Sequence, residues 1–174
     1  LRAIRTLGEV DIIAAEDTRH SVKLLNHLGI RKPMISYWRE KEQVRSDEII
    51  KRLHAGQSIA LISDAGTPGI SDPGAVLIKK AIEENIQILS IPGPSAFVAA
   101  LSVSGLPTDQ FTFMGFLPSR TAQRQKFLRE VYLEQRTLIF YEAPHRIVDS
   151  LLDVSHIFGE RKAALIKEIT KFHE

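Results

Sequence analysis

The chain has 174 residues, 44 % hydrophobic and 25 % charged, with a formal net charge of +2 and no cysteine. That size and composition suit one large or two small soluble domains, and the missing cysteines exclude disulfides, thiolate zinc sites and cysteine nucleophiles. The near-balanced charge confines any basic footprint to local patches, and no apolar run approaches the ~20 residues that cross a bilayer.

The pattern alternates between helix and strand. "LRAIRTL" reads as a helix with Leu1, Ile4 and Leu7 on one face and Gly8 as its stop. "VDIIAA" (10–15) suits a buried strand. A helix over 18–28 turns Val22, Leu25 and Leu28 inward, "MISYW" is a strand, and 43–54 is a helix with Val44, Ile50 and Leu53 inward. Strand 58–63, helix 75–84, strand 86–91 and a helix opening with "PGPS" follow. The remainder reads as strand 111–116, helix 121–134, strand 137–141, helix 146–157 and strand 163–169. Such alternation predicts an α/β protein with mostly parallel sheet. The stiff "IPGP" at 91–94 places a boundary between domains 1–91 and 92–174. The chain opens inside a helical pattern without an initiator methionine and closes on "LIKEITKFHE", so further sequence is expected at both ends.

Five polar clusters share one address. "EDTRH" (16–20), "DAGTPGISDPG" (64–74), "PGPS" (92–95), "LPSR" (117–120) and "EAPHR" (142–146) each follow a predicted strand. The carboxyl edge of a parallel sheet is where ligands bind. Residues 63–74 alone hold three glycines, two prolines and two aspartates, more than a plain turn needs. The spacing matches neither G-x-G-x-x-G nor a P-loop, and without a lysine the loop suits a cationic or neutral ligand better than a polyphosphate. Taken alone, Asp72 reads as a cap for the helix at Ala75.

Candidate proton acceptors on this edge are Glu16, Asp17, Asp64, Glu142 and His145. His145 is equally readable as a local hydrogen-bonding residue. Glu16, Asp17 and Arg19 form either an active triplet or a capped helix start with an ion pair. Basic groups with neighbouring aromatics suit RNA phosphates and bases. They are Arg19, His20 and Lys23; Arg31, Lys32, Arg39 and Lys41 around Tyr37 and Trp38; and Arg120, Arg124, Lys126 and Arg129. Arg146 joins the candidate RNA contacts, though each cation alone also reads as a solvated helix face.

"AEDTRHSVKLLNHLGI", "LISDAGTPGISDPG", "IPGPSAFVAALSVSGLP", "FMGFLP", "YEAPHRI" and "KEITKFHE" stand in this order. Together they resemble the bacterial ribosomal RNA small-subunit methyltransferase I family over essentially the whole chain. The resemblance implies a tetrapyrrole-methylase-like fold of two α/β domains with a ligand cleft between them. It implies S-adenosylmethionine (S-adenosyl-L-methionine, SAM) as cofactor and a cytidine ribose 2′-hydroxyl in 16S rRNA of the small ribosomal subunit as methyl acceptor. A cytoplasmic homodimer without metal or membrane attachment is expected. Carried over by motif, Ser63, Asp64, Ala65, Gly66, Thr67, Pro68 and Gly69 line the cofactor pocket, with Pro92, Gly93, Pro94, Ser95 and Ala96. The family's first strand and its "TPIGN"-type loop have no counterpart in this chain. A small tetrapyrrole acceptor, or a ligand-binding α/β module without catalysis, are the competing readings.

Overall fold

The computed structural model describes residues 1–169, in two compact units, Leu1–Ser95 and a second beginning at Ala96. In the first unit, strands β1 (Ile12–Ala15), β2 (Met34–Ser36) and β3 (Ile59–Ile62) form a parallel sheet in the order β2-β1-β3. Helices α2 (Thr18–His27) and α3 (Glu42–His54) supply the crossovers, while α1 (Arg2–Glu9) precedes β1 and α4 (Ala75–Glu83) follows β3. Successive β1 side chains point to opposite faces. Ile13 packs with Leu7, Val10 and Leu25 on the α1/α2 side, while Ala14 packs with Tyr37, Ile49, Ile50, Leu77 and Ala81 on the α3/α4 side. Burial on both faces explains why β1 is uninterruptedly apolar.

In the second unit, β4 (Phe111–Phe116) and β5 (Thr137–Tyr141) pair in parallel. The register shifts between Phe113 and Phe116, where Gly115 takes φ +67°. Helix α5 (Ala96–Val103) stacks Phe97 on Phe113 with centroids 4.5 Å apart. Helices α6 (Thr121–Glu130) and α7 (Ile147–Phe158) pack together, with Arg124 and Gln125 of α6 bonded to Asp153 of α7 and Leu128 and Ser150 buried.

Several expectations from the sequence need correction. α1 runs through Gly8, and only its last turn reaches the sheet, so Leu1 and Ile4 are exposed. Val22 and Val44 also face solvent, because Ser21 and Leu25, then Ile49 and Ile50, occupy the buried stripes. Residues 86–91 form no strand, and Ile88 and Leu89 are exposed. Residues 163–169 form none either, and Leu165 is exposed. An apolar run specifies burial but not the neighbouring edge that a strand must pair with, and neither segment finds one among the described residues. The end of "KEITKFHE", residues 170–174, lies outside the described residues.

Candidate functional site

In the first unit the carboxyl ends of β1, β2 and β3 gather one cluster of charged groups. Glu16 follows β1, Arg39 follows β2 after buried Tyr37 and exposed Trp38, and Asp64 follows β3. The Asp64 N–H donates to Glu16 Oε2 at 3.4 Å, and His20 Nδ1 stands 3.7 Å from Asp64 Oδ2. Burial pushes the Glu16 carboxyl above its ordinary range, and the Asp72 and Asp64 charges add to the shift against the Asp64 N–H and Arg39. Asp72 is raised as well, chiefly by burial and further by Asp64. These carboxyls hold protons more tightly than solvated ones do.

Loop 63–74 is braced from several sides. Glu42, the first residue of α3, accepts the Gly74 N–H at 2.6 Å. Gly69 N–H donates to the Pro73 carbonyl at 3.2 Å, and the Ser63 hydroxyl to the Ala65 carbonyl at 2.9 Å. Arg39 Nη2 donates to the carbonyl of Ser71 at 2.8 Å, and Ser71 itself sits at φ +64°. Thr67 Oγ1 donates to the Pro94 carbonyl at 3.1 Å, which ties the loop to the "PGPS" segment. The glycines differ in what they do. Gly74 has φ +146°, and a Cβ there would stand 2.9 Å from the Gly69 nitrogen. At Gly66, φ +71°, an added Cβ would meet nothing nearer than Asp72 Oδ2 at 3.8 Å. One glycine serves packing; the other leaves an open surface.

The structure brings the carboxylate Glu16 and Ser63–Gly69 to one edge, with Pro94 bonded to it. Pro92, Gly93 and Pro94 are exposed, Ser95 is half-buried, and Ala96 opens α5. Asp17 is occupied elsewhere. It caps α2 by accepting the Arg19 N–H at 2.8 Å and chelates the Arg19 guanidinium, so its carboxyl lies far below the usual range. Both of its carboxylate oxygens are thereby engaged by Arg19. Asp72 corrects the sequence in the opposite direction: Gly74 occupies the N-cap position of α4, with no side chain capping it.

In the second unit, Glu142 follows β5 but is fully engaged. Burial raises its carboxyl, yet Ser150, the Ala143 N–H and Arg146 outweigh that and leave it lowered. Arg146 forms the other half of this pair at 2.6 Å, with its side chain mostly covered. Both were expected on the working surface, one as a base and one on RNA; instead they hold the β5–α7 turn. Arg124 is corrected likewise. Only 3 % of its side chain is exposed, Nη2 lies 2.6 Å from Asp153, and Nη1 donates to the carbonyls of Pro118 and Ser119. A guanidinium so enclosed offers nothing to a phosphate. His145, Arg120, Arg19 and Lys23 remain exposed.

Sequence reasoning missed Glu42 as the loop's anchor and Arg39 as its clamp. Arg39 had a signal, since "WREKE" follows a strand as the other polar clusters do. Glu42 had none, because its partner is a backbone N–H 32 residues away. Among the described residues no group of three or more His, Asp or Glu side chains is placed to hold a metal ion, and no helix is long and apolar enough to cross a membrane.

Parallel strands joined by helical crossovers, with polar loops at their carboxyl ends, define an α/β protein. The chain belongs to the tetrapyrrole (corrin/porphyrin) methylase family, whose profile matches residues 1–174. It is 51 % identical over 174 residues to the ribosomal RNA small subunit methyltransferase I of Synechocystis sp., covering 99 % of this chain and 62 % of that protein. The proteins of the same name from Pseudomonas aeruginosa and Escherichia coli O157:H7 are 49 % and 45 % identical, with 99 % of this chain and 62 % and 61 % of theirs covered. The chain thus spans about three-fifths of these relatives' length. The crystal structure of the methyltransferase CobJ shares the fold, with a TM-score of 0.59 at 17 % identity over 89 % of this chain and 68 % of that one.

Proposed function

We propose that this chain carries the cofactor-binding and catalytic parts of an SAM-dependent RNA methyltransferase acting on a cytidine ribose 2′-hydroxyl in 16S rRNA of the small ribosomal subunit. The observation that carries this is identity of 45–51 % across 99 % of the chain to proteins named ribosomal RNA small subunit methyltransferase I. The site's chemistry supports it. A loop whose glycine surface is open at Gly66 and which lies among Glu16, Asp64 and Asp72 fits a cationic ligand rich in hydrogen-bonding groups. Ser63 to Gly69 and Pro92 to Ala96 would hold SAM through backbone groups. The cofactor supplies an activated methyl group; the chain's part is to align the acceptor oxygen and take its proton.

Glu16 and Asp72 are the best-suited proton acceptors, because a carboxyl raised above its ordinary range is a stronger base. Arg19, Lys23 and Arg120 are among the exposed cations available to meet RNA. The protein acts in the cytoplasm as a homodimer in this reading, and sedimentation at micromolar concentration tests the dimer. The deciding experiment supplies labelled SAM and small subunits lacking ribose methylation, then maps the label by resistance to alkaline cleavage. Label at one cytidine ribose is expected. SAM binding without label in RNA would favour the second reading, a small tetrapyrrole acceptor, which the family's description suggests.

A further inference from the structure

The opposite end of the second unit holds a second cluster of unusual side chains. Tyr132 lies just beyond α6 and Phe158 ends α7; their rings are parallel within 7°, with centroids 6.3 Å apart. The Arg161 guanidinium sits over Phe158, 5.4 Å from its centroid. Two grooves of about 280 and 330 Å³ share Tyr132. Arg129 and His156 line the first, and Glu134 and Arg161 the second. Glu134 to Arg136 immediately precede β5, so this is the amino edge of the strand, away from Glu142 at its carboxyl end.

The balance of charge decides what fits. Glu134 is matched by Arg136 at 2.5 Å, which holds its carboxyl down at about 2. Arg161 spends its hydrogen bonds on neutral carbonyls, those of Glu134 at 2.8 Å and Arg136 at 2.7 Å. Among the described residues neither Arg161 nor Arg129 has a carboxylate within ion-pair distance. The surplus is therefore positive. A purely structural stack would bury its outer ring, yet Tyr132 is 52 % exposed beside Leu133 at 79 %. Exposed aromatic faces flanked by unmatched arginines suit single-stranded nucleic acid, whose bases stack while its phosphates pair.

We propose that this groove is a second RNA-contact site, in which an unpaired base stacks on Tyr132 while Arg129 and Arg161 take the flanking phosphates. The inference rests on the reading that the substrate is RNA. It adds a contact for RNA at the amino end of β5, within the second unit.

The test is fluorescence anisotropy of a short, unstructured, end-labelled oligoribonucleotide titrated with the whole chain over a range of salt. Tyr132→Ala is expected to weaken binding roughly 5- to 150-fold, the range for one lost base stack, while Tyr132→Phe retains it. Arg129→Gln, on an exposed helix position, should reduce the slope of log affinity against log salt by about 0.7. It reads the groove without disturbing the stack, should Tyr132→Ala unfold the unit. No binding by the wild type, or unchanged affinity and slope in these variants, overturns the proposal. Methyl transfer to small subunits, measured in parallel, separates the two readings. Transfer without dependence of RNA affinity on the groove removes the groove alone. Groove-dependent RNA binding without transfer to RNA leaves the groove and removes the proposed reaction.

Discussion

The Glu42 carboxylate accepts the N–H of Gly74 at 2.6 Å, and so fastens the end of the glycine loop to the start of α3. The same oxygen lies 3.4 Å from the hydroxyl of buried Tyr37, which in turn is 2.9 Å from Ser46 Oγ. The loop's far end is therefore anchored in the α3/α4 core, while its near end continues from β3. A loop held at both ends keeps its backbone groups aimed without help from the ligand, which lowers the ordering cost of binding.

Removing that anchor should loosen the loop. A hydrogen bond to a charged acceptor contributes roughly 1.5–3 kcal/mol, so Glu42→Ala should lose about that much stability in denaturant titration. Glu42→Gln, which retains an acceptor, should lose about half. Hydrogen exchange at the Gly74 amide should quicken in the alanine variant. Unchanged exchange there would mean that the loop is held by its other contacts alone.

The two loop glycines separate folding from binding. Gly74→Ala would force a Cβ to 2.9 Å from the Gly69 nitrogen and 3.1 Å from Leu61. Because both neighbours are packed and φ is +146°, the variant should lose several kcal/mol and be difficult to obtain folded. Gly66→Ala meets open space and should cost only about 1 kcal/mol for its left-handed backbone. Its effect should appear in SAM affinity by calorimetry, because a methyl there projects from the loop's open surface. A folded Gly66→Ala with wild-type affinity would move the cofactor away from this part of the loop.

The contrast also shows how far a sequence can be read. Composition and order exposed the loop, and the rule that ligands gather at strand carboxyl ends located it. Nothing in the string distinguishes Gly66 from Gly74, since the difference is that Gly69 and Leu61 lie across from Gly74 while Gly66 meets only Asp72 at 3.8 Å. Periodicity found α2, α3, α6 and α7 because burial leaves a repeating trace. It failed at 86–91 and 163–169 because strand pairing depends on a neighbour elsewhere in the chain. Charge misled most. Arg124, Arg146 and Arg120 look alike as cations, and only the placement of Asp153 and Glu142 shows that the first two are enclosed.

That enclosure gives a prediction of opposite effects from neighbouring arginines. Arg124→Ala leaves Asp153 buried without its partner and should cost about 3–5 kcal/mol. Arg120→Glu, at an exposed position before α6, should change stability by less than about 0.5 kcal/mol and weaken RNA binding instead. The Asp153 carboxyl is held below its ordinary range by Gln125 and Arg124 despite its burial. A lowered carboxyl contributes stability above its unfolded pKa and loses it as pH falls through the folded value. The difference between wild type and Arg124→Ala should therefore shrink below the ordinary carboxylate range. A gap that stays constant down to strongly acid pH would contradict the ion-pair account.

Glu16 and Asp72 should respond to pH with the opposite sign. Both are raised, so the folded state binds protons more tightly than the unfolded chain, and stability falls as pH rises through the carboxylate range. Glu16→Gln and Asp72→Asn should match the wild type below that range and exceed it at neutral pH by about half a kcal/mol, since solvent screens these partly exposed groups. Arg39→Ala should push both carboxyls higher still, because its charge now lowers each of them; a carboxyl-carbon NMR titration reads this directly. Methyl transfer then separates the two acids. The residue that takes the ribose proton should lose about 10²- to 10⁴-fold in turnover as its amide, with SAM affinity little changed. The other should lose far less. If both amides turn over normally, neither carboxylate is the base, and exposed His145 becomes the next residue to replace.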